Sequence, residues 1–121
     1  ASKALEIDAK AVSRDPSVVE AYVADPLVHH DNIPARMVVS LFDEGQFVVD
    51  NAGHITLPVL LLHGEEDQLT SVPASRQFIE ALRASDKHLT VYPGMYHELF
   101  NEPERDEIID TCIAWIRQRL V

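Results

Sequence analysis

Cysteine is nearly absent from this chain of 121 residues, in which Cys112 is the only one. No internal disulfide is therefore possible, and cysteine usage leaves the cellular compartment open. Because Cys112 falls on the apolar stripe of a predicted helix, we interpret it as a small buried side chain rather than a reactive thiol. Long apolar runs are also absent: none approaches the ~18 residues that a membrane-spanning helix needs, so we predict no transmembrane segment.

Positive charge is scarce as well, with 10 Lys and Arg residues against 20 Asp and Glu residues and a formal net charge of −10. This balance argues against a nucleic-acid partner, because binding to phosphates needs a basic face. It argues equally against electrostatic docking on an anionic membrane surface. The hydrophobic share of 46% and the charged share of 25% are ordinary for a soluble globular protein.

One short polar cluster resembles a metal site, namely His29 and His30 beside Asp31. Adjacent side chains on a loop do not converge on one ion without further ligands. We therefore predict no metal site, and no pattern in the chain implies an organic cofactor.

Glycine occurs only four times, and one glycine follows the run around which the chain is organised. From Val59 to Leu62 the sequence is continuously apolar, which is typical of a strand buried on both faces of a parallel sheet. Gly64 then opens a turn, and Asp67 follows just beyond it. In open α/β sheets, ligands and catalytic groups gather at the carboxyl ends of the strands. Asp67 is therefore a candidate site residue.

A second apolar run, residues 89–92, leads through a glycine turn to His97 in the same way. Residues 71–84 lie between the two runs and are predicted to form a helix. Strand, helix and strand in this order give parallel neighbours with a right-handed crossover, which brings Asp67 and His97 to the same sheet edge. There a carboxylate can accept from the imidazole N–H and fix its tautomer. The residues alone leave open the alternative of a turn carboxylate and an ordinary loop histidine.

The rest of the pattern is helical. A short helix begins at Pro16, a long helix runs from Pro34 to about Ala52, and a last helix covers about residues 104–120. Residues 1–13 show no clear period and are predicted to form a loop. The only boundary that we predict lies near Thr56, between a purely helical half and a βαβα half.

A nucleophile for the Asp–His pair is missing from the chain. The expected pattern G-x-S-x-G places a serine on a sharp strand-to-helix turn, and no two glycines here bracket a serine. The serines from Ser13 onward are explained as helix caps and surface hydroxyls. A sheet of only two strands is marginally stable by itself, and its open edges invite pairing with another strand. We therefore interpret the chain as the C-terminal portion of a larger protein, or as one piece of a nicked or swapped assembly.

Residues 57–97 carry a family resemblance through L-P-V-L-L-L-H-G-E-E-D-Q-L and V-Y-P-G-M-Y-H-E, which look like the end of an α/β-hydrolase. More narrowly, the chain resembles the monoacylglycerol lipase and lysophospholipase group of serine hydrolases, which is serine aminopeptidase S33-like. The first half supports this, because S-R-D-P at residues 13–16 and D-P-L at residues 25–27 are similar to the end of that group's cap region. The resemblance covers nearly the whole chain.

This resemblance implies an α/β fold class, with two parallel strands and flanking helices preceded by a helical cap-end segment. Residues 1–56 would be the end of the cap region with the helix that returns to the sheet, and residues 57–121 the C-terminal βαβα part of the core. By position, Asp67 matches the triad acid and His97 the triad base. Three further positions correspond to residues that face the acyl or glycerol part of the pocket, although plain packing stays an open alternative: Tyr22, Leu41 and Leu69.

The leading hypothesis is a serine ester hydrolase that acts on monoacylglycerol or lysophospholipid-like esters, to which this chain supplies the triad acid and histidine. The implied partners are a lipid ester substrate and the missing N-terminal half, or a second chain that covers the sheet edge. Alone, the chain is expected to be inactive. Two alternatives stay open: an epoxide hydrolase or dehalogenase with an aspartate nucleophile, and a non-catalytic hydrolase-derived module that binds a partner or itself.

Overall fold

The computed structural model describes residues 5–120. In this part of the chain, two β-strands alternate with helices in the second half, and the first half is helical. The elements are α1 (Pro16–Ala24), α2 (Ala35–Asn51), β1 (Val59–Gly64), α3 (Val72–Ala81), β2 (Lys87–Tyr92) and α4 (Arg105–Arg117). Single 3₁₀ turns lie at Ala9–Ala11, Ala52–His54 and Leu99–Asn101. The predicted order of elements is confirmed.

Side-chain caps fix the starts of α1 and α3. Asp15 accepts a hydrogen bond from the backbone N–H of Ser17 at 2.9 Å, and the proline at the first position of α1 has no N–H to leave unpaired. Ser71 caps α3 by accepting from Ala74 N at 3.3 Å. Both starts agree with the sequence-based prediction.

The predicted ends of two helices were too late. We expected the third helix to reach residue 84, but α3 ends at Ala81 because Leu82 turns to an extended backbone with a ψ of 137°. The Lys87 ammonium then donates to the Leu82 carbonyl oxygen at 2.8 Å and satisfies a helix-end acceptor. The last helix, α4, ends at Arg117 rather than at residue 120.

β1 and β2 form a parallel pair whose register runs from Val59 beside Lys87 to Gly64 beside Tyr92. Because the strands end level with each other, the turns that follow them start side by side. Within residues 5–120 each strand has a single strand neighbour. Val59 to Leu62 are consequently half-buried, so the expectation of burial on both faces is not met within the described chain.

Six of the buried apolar residues form two small clusters. Ala52, Leu82 and Ala84 form the first, and Met95, Leu99 and Ile108 form the second. Large apolar side chains elsewhere remain exposed, mainly on α2 and α4: Met37, Val39, Leu41, Phe42, Phe47, Val48, Ile109, Ile113 and Ile116. A face of this kind is typical of a surface that another element covers.

The prediction of a plain loop for residues 1–13 was partly wrong. Residues 1–4 lie outside the described part, but Ala11, Val12 and Ser13 are 5%, 2% and 2% exposed. The Val12 carbonyl oxygen accepts from the backbone N–H of Glu98 at 2.8 Å, which ties this segment to the chain beyond β2. Ser13 is therefore not the surface hydroxyl that we expected.

Cys112 is half-buried on α4, so the expectation of a buried thiol is met only in part. Among residues 5–120, no helix combines the length and the apolar character that a membrane crossing requires.

Candidate active site

The turns that follow β1 and β2 are bonded to each other. The backbone N–H of Glu65 donates to the Tyr92 carbonyl oxygen, and that of Glu66 donates to the Met95 carbonyl oxygen, both at 2.9 Å. Gly64 makes this approach possible, because a Cβ at this position would overlap the carbonyl oxygens of Met95 and Tyr96. The two turns are therefore joined by backbone hydrogen bonds at the carboxyl edge of the sheet.

Asp67 and His97 meet in this unit. Asp67 Oδ2 lies 2.9 Å from His97 Nδ1, and it also accepts from the Thr70 hydroxyl at 2.6 Å. Asp67 Oδ1 accepts from the backbone N–H groups of Leu69 at 2.7 Å and Thr70 at 3.0 Å. Both carboxylate oxygens thus accept hydrogen bonds from nearby residues, in addition to the contact of Oδ2 with the imidazole.

The electrostatics favour an ionised Asp67. Burial raises the pKa of this carboxyl group, since its side chain is only 3% exposed. Hydrogen bonds from Thr70, His97 and the backbone N–H groups outweigh burial and bring the pKa to about 2. A carboxylate of this kind accepts from an imidazole N–H and stabilises an imidazolium.

His97 presents its other nitrogen to open space. Its side chain is 37% exposed and lines a groove together with residues from β1, α4 and the turn after β2: Leu60, Leu62, Glu98, Leu99, Phe100, Asn101 and Cys112. Because Nδ1 faces the carboxylate, the proton of the neutral ring lies on Nδ1 and the lone pair on Nε2. Asp67 itself is buried, with 3% of its side chain exposed, and does not line this groove.

The residues predicted to bind substrate do not join this groove. Tyr22 is half-buried and lines a depression between α1 and the turn after β2, with its ring edge against His30. Leu41 is 56% exposed and faces a separate depression between α2 and α3. Leu69 contacts the pair through its backbone N–H to Asp67. Their substrate-binding roles stay predictions.

Sequence reasoning missed a second histidine on the same carboxylate. His63, the penultimate residue of β1, is 8% exposed, and its Nε2 lies 3.1 Å from Asp67 Oδ2. Because His63 directly follows the apolar run of β1, nothing in the sequence distinguished it from an ordinary strand residue. Thr70 was missed as well, although a threonine three residues after a turn aspartate is a recognisable signal for a local hydrogen bond.

A buried glutamate also escaped the sequence analysis. Glu102 is fully buried and accepts from the Ser13 hydroxyl at 2.8 Å, from Arg14 N at 2.7 Å, from Arg14 Nε at 2.5 Å and from Tyr96 N at 3.1 Å. Tyr96 and Glu98 flank His97, and their backbone N–H groups donate to Glu102 and to the Val12 carbonyl oxygen, so Glu102 and the segment that it binds hold the backbone on both sides of the histidine. The partners are 88 and 89 residues apart in sequence, and no local pattern reveals such contacts.

Metal-binding groups do not assemble in the described part of the chain. Among residues 5–120, no group of three or more His, Cys, Asp and Glu side chains is arranged so that it could hold a metal ion. His30 instead approaches the Asp25 carbonyl oxygen at 3.2 Å through Nε2.

Comparison with known proteins gives a consistent group of relatives. The family model for serine aminopeptidase S33 matches residues 2–104. A monoacylglycerol lipase of Mycolicibacterium smegmatis is 46% identical over 114 residues, which cover 94% of this chain and 41% of that protein. The crystal structure of a Paleococcus ferrophilus monoacylglycerol lipase has a TM-score of 0.84 and 35% identity, covering 93% of this chain and 45% of that one. The structure of a soluble variant of Saccharomyces cerevisiae monoglyceride lipase has a TM-score of 0.83 and 21% identity, and the match covers 98% of this chain and 42% of the lipase chain. At this identity it supports the fold alone.

The parallel strands with flanking helices and these structural neighbours define the class of the fold as an α/β-hydrolase, which confirms the predicted fold class. The chain belongs to the serine aminopeptidase S33 family. Its predicted resemblance to the monoacylglycerol lipase group is confirmed as well. The chain spans less than half the length of these relatives, 41% and 45% in the first two. The division near Thr56 and the roles assigned to Asp67 and His97 stay predictions.

Proposed function

We propose that this chain is part of a serine ester hydrolase that acts on monoacylglycerols or lysophospholipid-like esters. In this proposal Asp67 is the triad acid and His97 the triad base. The observation that carries it is the 2.9 Å contact between Asp67 Oδ2 and His97 Nδ1 at the ends of two adjacent parallel strands. The names of the relatives, which are monoacylglycerol and monoglyceride lipases, support the class of substrate.

The chemistry follows from the tautomer of His97. With its Nδ1–H donated to Asp67, the imidazole has a lone pair on Nε2 that can take the proton of a serine hydroxyl. The serine, supplied by the remainder of the protein, attacks the ester carbonyl and forms an acyl-enzyme. His97 then gives the proton to the leaving alcohol, and a water molecule repeats the cycle on the acyl-enzyme. The low pKa of Asp67, about 2, keeps the carboxylate charged throughout and so stabilises the imidazolium.

The exposed apolar faces support a partner that completes the fold. Phe42 on α2 is 75% exposed and Ile116 on α4 is 49% exposed, so both faces would gain stability from burial against further elements. In our proposal these elements come from the N-terminal half of the same hydrolase, which also brings the serine.

The direct test uses the whole protein that carries this chain, purified and assayed with monoacylglycerol, lysophospholipid and triacylglycerol substrates and with an epoxide. We expect hydrolysis of the first two and stoichiometric labelling by a fluorophosphonate probe, with the labelled serine mapped by mass spectrometry outside these 121 residues. Labelling of a serine within this chain would contradict the proposal. Epoxide opening without any fluorophosphonate labelling would favour an aspartate nucleophile instead.

A further inference from the structure

His63 occupies a position between the end of β1 and the turn that carries Asp67. Its ring is buried, at 8% exposure, and each nitrogen has polar neighbours. Nε2 lies 3.1 Å from Asp67 Oδ2 and 3.3 Å from the Thr70 carbonyl oxygen. Nδ1 lies 2.7 Å from the Ser75 hydroxyl oxygen on α3. The ring therefore links the strand, the turn and the following helix.

The neighbours of His63 define its tautomer. The carboxylate oxygen and the carbonyl oxygen beside Nε2 can only accept, so Nε2 carries a proton. With the proton on Nε2, Nδ1 can accept from the Ser75 hydroxyl, which lies 2.7 Å away. The Nε2–H group therefore donates to the Thr70 carbonyl oxygen, and its positive end lies beside Asp67 Oδ2, the oxygen that contacts His97.

We propose that His63 is a positioning residue for the catalytic pair: its Nε2–H group donates to the Thr70 carbonyl oxygen at 3.3 Å and lies 3.1 Å from Asp67 Oδ2, and so holds the turn in the orientation that presents Oδ2 to His97. This inference rests on the proposed function, because it assigns a role within the same triad. Oδ2 is the relevant atom, since it has His97 Nδ1 at 2.9 Å, the Thr70 hydroxyl at 2.6 Å and His63 Nε2 at 3.1 Å. Without His63, the Thr70 carbonyl oxygen loses this donor, and Asp67 Oδ2 loses its neighbour on β1.

Two amide substitutions separate this role from simple packing. The side-chain nitrogen of glutamine reaches about as far as the imidazole Nε2, whereas asparagine reaches only about as far as Nδ1. His63→Gln therefore keeps a donor toward Asp67 and Thr70, and His63→Asn keeps only the contact toward Ser75. Both place a smaller polar side chain at the same buried position, so their structural costs are matched.

The experiment measures kcat, KM and the unfolding midpoint of both variants in the whole enzyme. We expect kcat to fall about tenfold or more in His63→Asn with KM unchanged, because the missing donor mainly affects the charge that develops on His97 in the transition state. His63→Gln should retain kcat within about threefold. The two unfolding midpoints should lie close together.

Equal kcat values for the two variants would overturn the inference, and so would a loss of kcat that follows the unfolding midpoint in both. If the unsubstituted enzyme hydrolyses esters and the variants behave alike, only the role of His63 fails. If the unsubstituted enzyme hydrolyses no ester, the proposed function fails and this inference fails with it.

Discussion

Glu102 gives the sharpest test of how the structure is held together around His97. We predict that Glu102→Gln in the whole protein lowers the free energy of unfolding substantially. The carboxylate is fully buried and accepts from four donors on Ser13, Arg14 and Tyr96. Glutamine keeps one oxygen for the Ser13 and Arg14 N donors, but its amide group cannot accept from Arg14 Nε and Tyr96 N.

The magnitude follows from these two lost bonds. A hydrogen bond to a charged group contributes about 1.5–3 kcal/mol, and breaking a buried ion pair from one side costs about 3–5 kcal/mol. Because the Arg14 side chain is 32% exposed and can recover some hydration, the expected loss lies below that range, at about 2–3 kcal/mol.

Glu104→Gln is the matched control, because Glu104 pairs with the same Arg14 guanidinium from the surface and is 41% exposed. A surface ion pair of this kind contributes only about 0–1 kcal/mol. Equilibrium denaturation in urea measures both variants, provided that the denaturant slope is unchanged. If Glu102→Gln costs no more than Glu104→Gln, the idea that Glu102 anchors the segment beside His97 is wrong.

Two further predictions concern pH and backbone packing. Burial raises the pKa of Glu102, but its hydrogen bonds outweigh burial and lower the pKa from 4.5 overall. The stabilisation by this carboxylate is therefore present above about pH 4.5 and is lost as the pH falls through the lowered pKa. The unfolding free energies of wild type and Glu102→Gln should converge below pH 4.5 and stay apart at pH 7, and a constant difference would contradict this. Gly64→Ala should destabilise the whole protein by about 1–3 kcal/mol and reduce turnover, because its Cβ overlaps two carbonyl oxygens. Gly45→Ala, on an open helix face, should instead stabilise by up to about 1 kcal/mol, and thermal unfolding that ranked the two variants in the opposite order would refute this account of the turn.

The sequence was informative where local rules dominate. The apolar runs predicted β1 and β2, and Pro16 predicted the start of α1, because strand burial and helix starts depend on neighbouring residues. The strand–helix–strand order makes the two strands parallel neighbours, so their carboxyl ends lie at the same sheet edge, which is why the proximity of Asp67 and His97 could be predicted.

Contacts between distant segments could not be predicted in this way. Arg14 and Glu102 are 88 residues apart, and either residue alone is typical of a solvated surface charge. His63 shares its strand with leucines, so its polar surroundings depend on α3 and the turn that fold over it. Within the described chain, Tyr22 lines a depression that shares Glu98 and Asn101 with the His97 groove, whereas Leu41 lines a separate one between α2 and α3, and such positions depend on how the helices pack.

The central claim is that Asp67, and no neighbouring carboxylate, orients His97. The most direct measurement compares ester turnover of Asp67→Asn and Glu66→Gln in the whole enzyme, since Glu66 is an exposed carboxylate one residue away. Our account predicts that Asp67→Asn lowers kcat by about 10⁴-fold with the fold and KM retained, as in comparable serine hydrolase triads, and that Glu66→Gln leaves kcat nearly unchanged. Near-normal turnover in Asp67→Asn, or a large loss in Glu66→Gln, would contradict it.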